Sequence, residues 1–321
     1  MMNRRTLLAA PLLLAPLAAR AQEEYPARPV NVVVPWPAGG PTDAFARLFS
    51  QRLSTDLGRP FVVDNRGGAN GTIGMAQAAR LRPDGYNLVI TPNSTYAVAQ
   101  HLYPLQYDAE RAFVGVGLLV SSPLFIMVRG NSPHRTLAQF TEAAKRPGAR
   151  VTYANSGVGS TSHLAMEMFI QGAGITIEEV GYRGGGPAIQ AMLAGETDIF
   201  CLPAAAAMPQ LAAGELRALA ATTLQRSRYA PEVPTMQELG FGGFEVVEHV
   251  AMLAPAGTPE TILRRLNDAS ATALRAPDMA PRLAAMALSV EARPFAEWPA
   301  YFRAEADKWR DFVRARNIRV Q

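Results

Sequence analysis

Three segments of the chain place a glycine-rich turn directly between a strand-like apolar run and a helical pattern. These turns lie at 38–43, 155–161 and 183–187. The start of a helix leaves backbone N–H groups unpaired and carries partial positive charge. Glycine lets a ligand approach the backbone closely because it has no side chain. Such turns can bind a carboxylate or a phosphate without any cationic side chain, so the sequence predicts an anion site.

The residues predicted to bind the anion belong to these turns and to their flanking strand ends. They are Trp36, Ala38, Gly39, Gly40, Thr42, Asp43, Ser94, Ser160, Thr161, Tyr182, Gly184, Gly185 and Gly186. The glycine amides and the hydroxyl groups are the expected donors, and the two aromatic side chains are expected to wall the site. Asp43 is an unusual neighbour for an anion. We expect it either to stabilise its own helix start or to bond to a ligand amine or an ordered water.

The helix starts alone contribute too little free energy to account for ligand binding. A helix end contributes roughly 0.3–1 kcal/mol, or ~2 kcal/mol when it is partly buried. Micromolar affinity requires about 8 kcal/mol, so charge-assisted hydrogen bonds of about 1.5–3 kcal/mol each must supply much of the rest. A glycine turn can also be a tight connection without a ligand, but three in one chain favour binding.

Signatures of common enzyme classes are absent from the sequence. The chain has no G-x-S-x-G elbow, no G-x-G-x-x-G and no G-x-x-x-x-G-K-[ST] motif, and its histidines and single cysteine lack metal-ligand spacing. Ser160 and His163 stand three residues apart, which leaves an exported hydrolase open as an alternative. We expect no catalytic residues, no cofactor and no metal site.

The first 21 residues have the layout of a secretory signal peptide. Arg4 and Arg5 precede an apolar stretch at 7–19, and a small-x-small site ends at Ala21. The stretch is too short to span a bilayer, and its two prolines disfavour a buried helix. We expect cleavage near Ala21 and export to the periplasm, by either the Sec or the twin-arginine route.

Charge and cysteine usage are consistent with such a protein. The chain has 31 Lys and Arg against 27 Asp and Glu. Cleavage would remove three arginines and leave the chain close to neutral, so we expect no nucleic-acid partner. Cys201 lies in an apolar run and is predicted to be a buried structural thiol. An exported chain of this length without disulfides is typical of a bacterial periplasm.

Strand-like runs alternate with helical patterns along the chain, which predicts an α/β fold with mixed, mostly parallel sheets and flanking helices. The predicted strands lie at 30–34, 61–64, 87–91, 125–128, 150–153, 177–182, 198–202, 216–222 and 245–253. The predicted helices lie at 42–57, 72–81, 136–145, 161–171, 187–194, 259–274, 278–288 and 295–316. No flexible linker separates the two blocks, so we expect two strand crossings to join two domains. Residues 22–124 with 250–321 would form the first domain, and residues 125–249 the second.

Several motifs in a fixed order resemble the Bug-type periplasmic receptors, which are the extracytoplasmic binding components of tripartite tricarboxylate transporters. The similar segments lie at 35–43, 64–71, 107–108, 155–164, 182–188, 214–217 and 254–259. The resemblance implies a two-domain "Venus flytrap" with two crossing segments and a ligand in the cleft. Family ligands are dicarboxylates, tricarboxylates, acidic amino acids and aromatic acids. The turn at 38–43 would hold the ligand carboxylate, often through ordered waters, and the other two turns would contribute from the second domain.

These observations together predict a receptor that binds a small organic acid and does no chemistry on it. It would be a monomer that presents its closed form transiently to the membrane subunits of a transporter. A ligand-sensing partner of a signalling receptor is the alternative, because it would need the same cleft. The sequence leaves the identity of the carboxylate open.

Overall fold

The computed structural model describes residues 25–319, so the predicted signal peptide lies outside the described residues. The fold is α/β, as predicted from the alternation of strand-like and helical patterns. The strands are β1 (Val30–Val34), β2 (Phe61–Asn65), β3 (Asn87–Pro92), β4 (Phe113–Arg129), β5 (Thr152–Asn155), β6 (Glu178–Gly181), β7 (Ile199–Pro203), β8 (Leu216–Ala221), β9 (Val247–Pro255) and β10 (Ser289–Val290).

Helices cover both faces of the sheet strands. They are α1 (Pro41–Leu57), α2 (Thr72–Ala78), α3 (Leu137–Ala144), α4 (Thr161–Ala173), α5 (Gly185–Ala194), α6 (Ala204–Ala212), α7 (Glu260–Leu274), α8 (Met279–Ala285) and α9 (Trp298–Arg316). A π-helix follows β3 at Ser94–Val98, and short 3₁₀ turns lie at Ala69–Gly71, Ala99–His101 and Phe295–Glu297. No helix among residues 25–319 is both long enough and apolar enough to cross a lipid bilayer.

Two long strands connect the two halves of the sheet. The strand order is β2-β1-β3-β9-β4-β7-β5-β6, and β8 and β10 pair with β4. The first half of β4 is antiparallel to β9, and its second half pairs with β7 and β8. The strands β1, β2 and β3 are parallel to one another, as are β5, β6 and β7. The carboxyl ends within each group therefore lie along one edge.

Apolar periodicity explains how the helices pack on these strands. Phe45, Phe49 and Leu53 recur on one face of α1 and are buried against β1 and β3. Gly58 ends this helix with φ +66°, a left-handed conformation that glycine adopts without strain. Around the other strands, Phe125 and Phe200 lie in a second buried cluster. Cys201 belongs to that cluster and is fully buried, as predicted.

The predicted strands and helices are found with end shifts of up to three residues, apart from β4, which is much longer than predicted. It begins at Phe113, twelve residues before the predicted start, because the apolar run continues through two glycines that pack against other elements. The sequence reading also missed α6, a short alanine-rich helix with Pro209 in its interior. Proline disfavours such a position by removing a helical hydrogen bond, so the pattern did not predict a helix there.

Candidate functional site

A cavity of about 170 Å³ lies where the carboxyl ends of the two parallel strand groups face each other. Its wall is formed by residues that follow β1, β3, β5, β6 and β7, with one residue from β9. The lining residues are Trp36, Pro37, Ala38, Gly39, Gly40, Pro41, Thr42, Pro92, Ser94, Ser156, Ser160, Thr161, Ser162, Arg183, Gly184, Gly185, Gly186, Pro187, Leu202, Pro203, Ala206 and Glu248. Ligands of open α/β sheets bind at such strand ends.

Eleven of the thirteen residues predicted to bind the anion line this cavity. The three glycine turns, which are distant in the sequence, therefore meet around one space. Asp43 and Tyr182 are the two predicted residues that do not line it. Both lie behind the wall, and each makes contacts that support it.

Asp43 supports the turn before α1 from behind. Its Oδ2 accepts the Gly39 N–H at 2.8 Å, and its Oδ1 accepts the Asn65 side-chain amide at 2.9 Å. Arg47, one turn further along α1, donates to the same carboxylate at 3.1 Å. Burial raises the pKa of Asp43, but the hydrogen bonds from Arg47, Gly39 and Asn65 together hold it below its ordinary value. Asp43 is therefore an ionised brace for its own helix start.

The hydrogen bond from Gly39 to Asp43 corrects the prediction that the Gly39 amide donates to the ligand. The Gly39 N–H is bonded to Asp43 and is not free to hold a ligand carboxylate. The first helical hydrogen bond of α1 runs from Ala44 N–H to the Gly40 carbonyl, so the preceding amides lack an intrahelical acceptor. Those of Gly40 and Thr42 belong to residues that line the cavity. Gly39 still matters to the turn because its φ of +82° favours glycine.

The turn before α4 is held by its own side chains. Ser160 is the N-cap, and its Oγ accepts the His163 N–H at 3.2 Å. The imidazole Nδ1 of His163 accepts the Gly159 N–H at 3.2 Å, and its Nε2 lies 3.5 Å from Glu179. The hydrogen bond from His163 lowers the pKa of Glu179.

Those contacts argue against the hydrolase alternative. Both ring nitrogens of His163 face partners other than the Ser160 hydroxyl, whereas a nucleophile needs a base within hydrogen-bond reach. Ser160 instead has the geometry of a helix cap. Within residues 25–319, no group of three or more His, Cys, Asp and Glu side chains is placed to hold a metal ion.

The turn before α5 takes its shape from backbone conformation and not from a side-chain cap. Gly184 is the N-cap with φ +107°, and no side chain caps the helix. The helix begins at Gly185, two residues before the predicted start, because glycines precede Pro187 without interrupting the helical backbone. Gly186, which directly precedes Pro187, therefore lies inside the first turn of the helix and is not its N-cap. The amides of Gly185 and Gly186 precede the first helical bond and are available at the cavity wall.

Tyr182 lies outside the cavity lining because its hydroxyl donates to Glu196 at 3.3 Å. Its backbone N–H donates to the Asn155 carbonyl at 3.0 Å, which continues the pairing of β5 with β6. The ring is half-buried against the apolar cluster. Tyr182 therefore positions the turn that follows it and does not wall the cavity, which corrects the prediction.

Two hydrogen bonds, from Asn70 to Gly159 and from Tyr103 to Val158, connect the two sides of the cavity. The Asn70 side-chain amide donates to the Ser94 carbonyl at 3.0 Å and to the Gly159 carbonyl at 3.2 Å. The Tyr103 hydroxyl donates to the Val158 carbonyl at 2.8 Å. The segment before α4 is thereby tied to the strand group that carries α1. The arrangement is that of a cleft whose two sides touch.

Sequence reasoning missed several residues of the cavity wall. Pro203 and Ala206 come from the start of α6, a fourth α-helix start at the cavity, which the sequence reading did not assign. Ser162 and Ser156 flank donors that were predicted. Glu248 is the most informative of the residues that were not predicted, because it is a carboxylate in a cavity wall formed largely by the N-termini of helices. The sequence feature that could have indicated Glu248 was the presence of an acidic residue inside a predicted crossing strand.

Comparisons with known proteins agree with this geometry. A sequence model described as "Tripartite tricarboxylate transporter family receptor" matches residues 45–318. The chain is 34% identical to the protein BugT of Bordetella pertussis over 313 residues, which cover 96% of this chain and 94% of BugT.

Two solved structures share the fold over nearly their whole length. The periplasmic binding protein BugD superposes with a TM-score of 0.86 at 33% identity, covering 92% of this chain and all of BugD. The protein MatC from Rhodopseudomonas palustris, solved with bound malate, superposes with a TM-score of 0.84 at 32% identity, covering 90% of this chain and all of MatC. The chain has the periplasmic binding protein fold, and it belongs to the receptor family of the tripartite tricarboxylate transporters.

Proposed function

We propose that this chain is a periplasmic receptor that binds a small organic carboxylate in the described cavity and delivers it to a tripartite tricarboxylate-type transporter in the membrane. The observation that carries the proposal is the meeting of three helix N-termini, those of α1, α4 and α5, around one cavity. Anions bind at such ends through backbone amides and the helix dipole. The malate bound to the relative MatC supports a carboxylate as the ligand.

The size of the cavity fits a small molecule. An apolar cavity of about 150 Å³ can take up benzene, so 170 Å³ accommodates an acid of that size. The wall combines apolar surface from Trp36, Leu202 and several prolines with hydroxyl groups, glycine amides and two charged side chains. Small-ligand sites commonly have this composition, in which the polar groups fix the orientation of the ligand.

The energetics of the site are consistent with a receptor. Three partly buried helix ends supply at most about 2 kcal/mol each. Hydrogen bonds from the amides of Gly40, Gly185 and Gly186 to a carboxylate add about 1.5–3 kcal/mol each, before the cost of ordering the ligand. Micromolar affinity at about 8 kcal/mol is within this range. Binding through neutral donors needs no fixed cation.

Export and domain motion complete the proposal. The predicted signal peptide at 1–21 and the periplasmic relative BugD support a periplasmic location. We place the domain boundaries where β4 and β9 cross, which gives residues 22–124 with 250–321 and residues 125–249. Opening and closing about these crossings would admit and enclose the ligand, and the monomer would then contact the membrane subunits transiently.

Titration calorimetry against a panel of mono-, di- and tricarboxylates, aromatic acids and acidic amino acids tests this function. The matched control for each acid is its methyl ester or amide, which keeps the shape and removes the negative charge. We expect micromolar binding of at least one acid and at least a 10-fold weaker affinity for its ester. Equal binding of acid and ester, or no binding of any acid, would contradict the proposal.

A further inference from the structure

Glu248 points into the cavity from the crossing strand β9. It pairs with Ser122 of β4 at the position where both strands pass between the two halves of the sheet. Side chains alternate along a strand. The neighbouring His249 accordingly faces the opposite side, where its ring centroid lies 5.7 Å from that of Tyr301 on α9. Glu248 is half-buried, and it lines the cavity.

One oxygen of Glu248 is already bonded to the start of α4. The Thr161 hydroxyl donates to Oε2 at 2.8 Å. Burial raises the pKa of Glu248, and the hydrogen bond from Thr161 opposes that rise. A carboxylate has about four acceptor positions, so the group keeps acceptor capacity toward the cavity. Thr161 was a predicted donor to the ligand, but its hydroxyl proton is directed to Glu248.

The charges of the wall make Glu248 exceptional. Among the described residues that line the cavity, the only charged side chains are Glu248 and Arg183, and Arg183 is exposed. Glu248 is the group that a ligand meets beside the amides of α4. A second ligand carboxylate placed against it would bring two like charges together, which is unfavourable at short range. A ligand hydroxyl or ammonium group would instead donate to it.

We propose that Glu248 makes the site selective for carboxylates that also carry a hydrogen-bond donor, either a hydroxyl or an ammonium group. The inference rests on the proposed function, because the helix starts hold the carboxylate of the same ligand. The donor contacts the carboxylate of Glu248, whose other oxygen stays bonded to Thr161. A site built to accept a hydrogen bond from its ligand discriminates against ligands that leave this acceptor position unfilled.

The experiment compares three ligands that share one carbon skeleton. Succinate has no donor, malate adds a hydroxyl, and aspartate adds an ammonium group; the series is rebuilt on the skeleton of any other acid that binds in the panel. We expect at least 10-fold tighter binding of one donor-bearing ligand over the parent acid in the wild-type protein. The variant Glu248→Gln removes the charge and keeps an oxygen that can accept from Thr161. It should bring the preference close to parity without weakening the parent acid.

The control variant Glu245→Gln removes a carboxylate three residues away that does not line the cavity, and it should keep the wild-type preference. Thermal melts verify that both variants fold. Equal affinity of the wild type for all three ligands would overturn the inference, as would a wild-type preference that survives in Glu248→Gln. Succinate binding is also measured in buffers of different ionisation enthalpy. Uptake of a proton on binding would overturn the inference, because Glu248 would then be protonated and would itself donate a hydrogen bond to the ligand. If no acid of the panel binds at all, the proposed function fails instead.

Discussion

The turns before α1 and before α5 place the same groups at the cavity by different means. The turn before α1 is braced from behind by Asp43, whose carboxylate binds Gly39, Asn65 and Arg47. The turn before α5 has no side-chain cap and adopts its shape through Gly184 at φ +107°. The turn before α1 is therefore held by the hydrogen bonds that Asp43 accepts from charged and neutral donors. The turn before α5 adopts its shape because glycine tolerates a positive φ.

This difference concerns how firmly each turn is formed before a ligand arrives. The contacts of Asp43 involve protein groups only, so they stabilise the turn before α1 with or without a ligand. Glycine gains conformational freedom when the chain is released, and the turn before α5 lacks a network that offsets this. We infer that the first turn provides a fixed half of the site. The second turn is the half that a ligand can order.

The largest expected effect comes from a larger side chain at Gly40 or at Gly186, which would occupy part of the cavity. Gly40→Val and Gly186→Val should each weaken carboxylate binding by about 10- to 100-fold, the equivalent of one charge-assisted hydrogen bond of about 1.5–3 kcal/mol. A Cβ at Gly40 meets only the Pro37 carbonyl, at 3.5 Å, and a Cβ at Gly186 meets no atom within 4 Å. Neither position has positive φ, so both variants should fold. Calorimetry and thermal melts provide the two readouts.

Gly242→Val is the matched control for these variants. A Cβ at Gly242 also meets no atom within 4 Å, and the residue does not line the cavity. It should retain wild-type affinity. Wild-type binding by Gly40→Val or by Gly186→Val would remove the corresponding turn from the site.

A smaller effect on binding, with a larger one on stability, is expected from Asp43→Asn. The asparagine amide would face donors that now bind a carboxylate, so the free energy of unfolding should fall by about 1–3 kcal/mol at neutral pH. Affinity should fall by only about 3- to 10-fold, because the amides at the cavity remain. The pKa of Asp43 is lowered in the folded state, so its contribution is present above the ordinary aspartate value of 3.8 and is lost as the pH falls below it.

Denaturant unfolding at pH 7 and near pH 3 checks this prediction. The gap between wild type and Asp43→Asn should narrow at the lower pH. The control Asp311→Asn removes the same charge from an exposed pair with Arg310 and should leave the free energy of unfolding nearly unchanged, because solvent screens that pair. A pH-independent gap would show that the charge of Asp43 does not stabilise the turn.

Local sequence patterns were sufficient to predict which glycine-rich segments line the cavity. Apolar runs that end in glycine and lead into helical periodicity define strand–turn–helix units on their own, because each signal lies within a few residues. In parallel strands such units bring their turns to one edge. The proximity of 155–161 to 183–187 was therefore predictable, as was the burial of Cys201. That 38–43 would face them was expected only from the family resemblance, which implies a cleft between two domains.

Side-chain direction was the part that local patterns did not determine. Asp43 could face the ligand or its own turn, and the choice depends on Asn65, which is distant in sequence and reaches it through the pairing of β1 with β2. Glu248 enters the cavity only because β9 crosses beside β4 at that register. Both outcomes follow from tertiary contacts, so the spacing of residues in one segment does not contain them.

The smallest expected effect concerns Ser160 at the start of α4. It separates the capping of this helix from contact with the ligand. Ser160→Ala removes the N-cap acceptor of the His163 N–H and should cost about 1 kcal/mol of stability. Thr136→Ala removes the equivalent cap of α3, where the Thr136 hydroxyl accepts the Gln139 N–H at 3.2 Å outside the cavity. The two variants should lose similar stability. Because only Ser160 lines the cavity, only Ser160→Ala should also weaken ligand binding, by a few-fold. Calorimetry that detects the same loss in Thr136→Ala would trace the effect to general destabilisation, and α4 would then support the site without contacting the ligand.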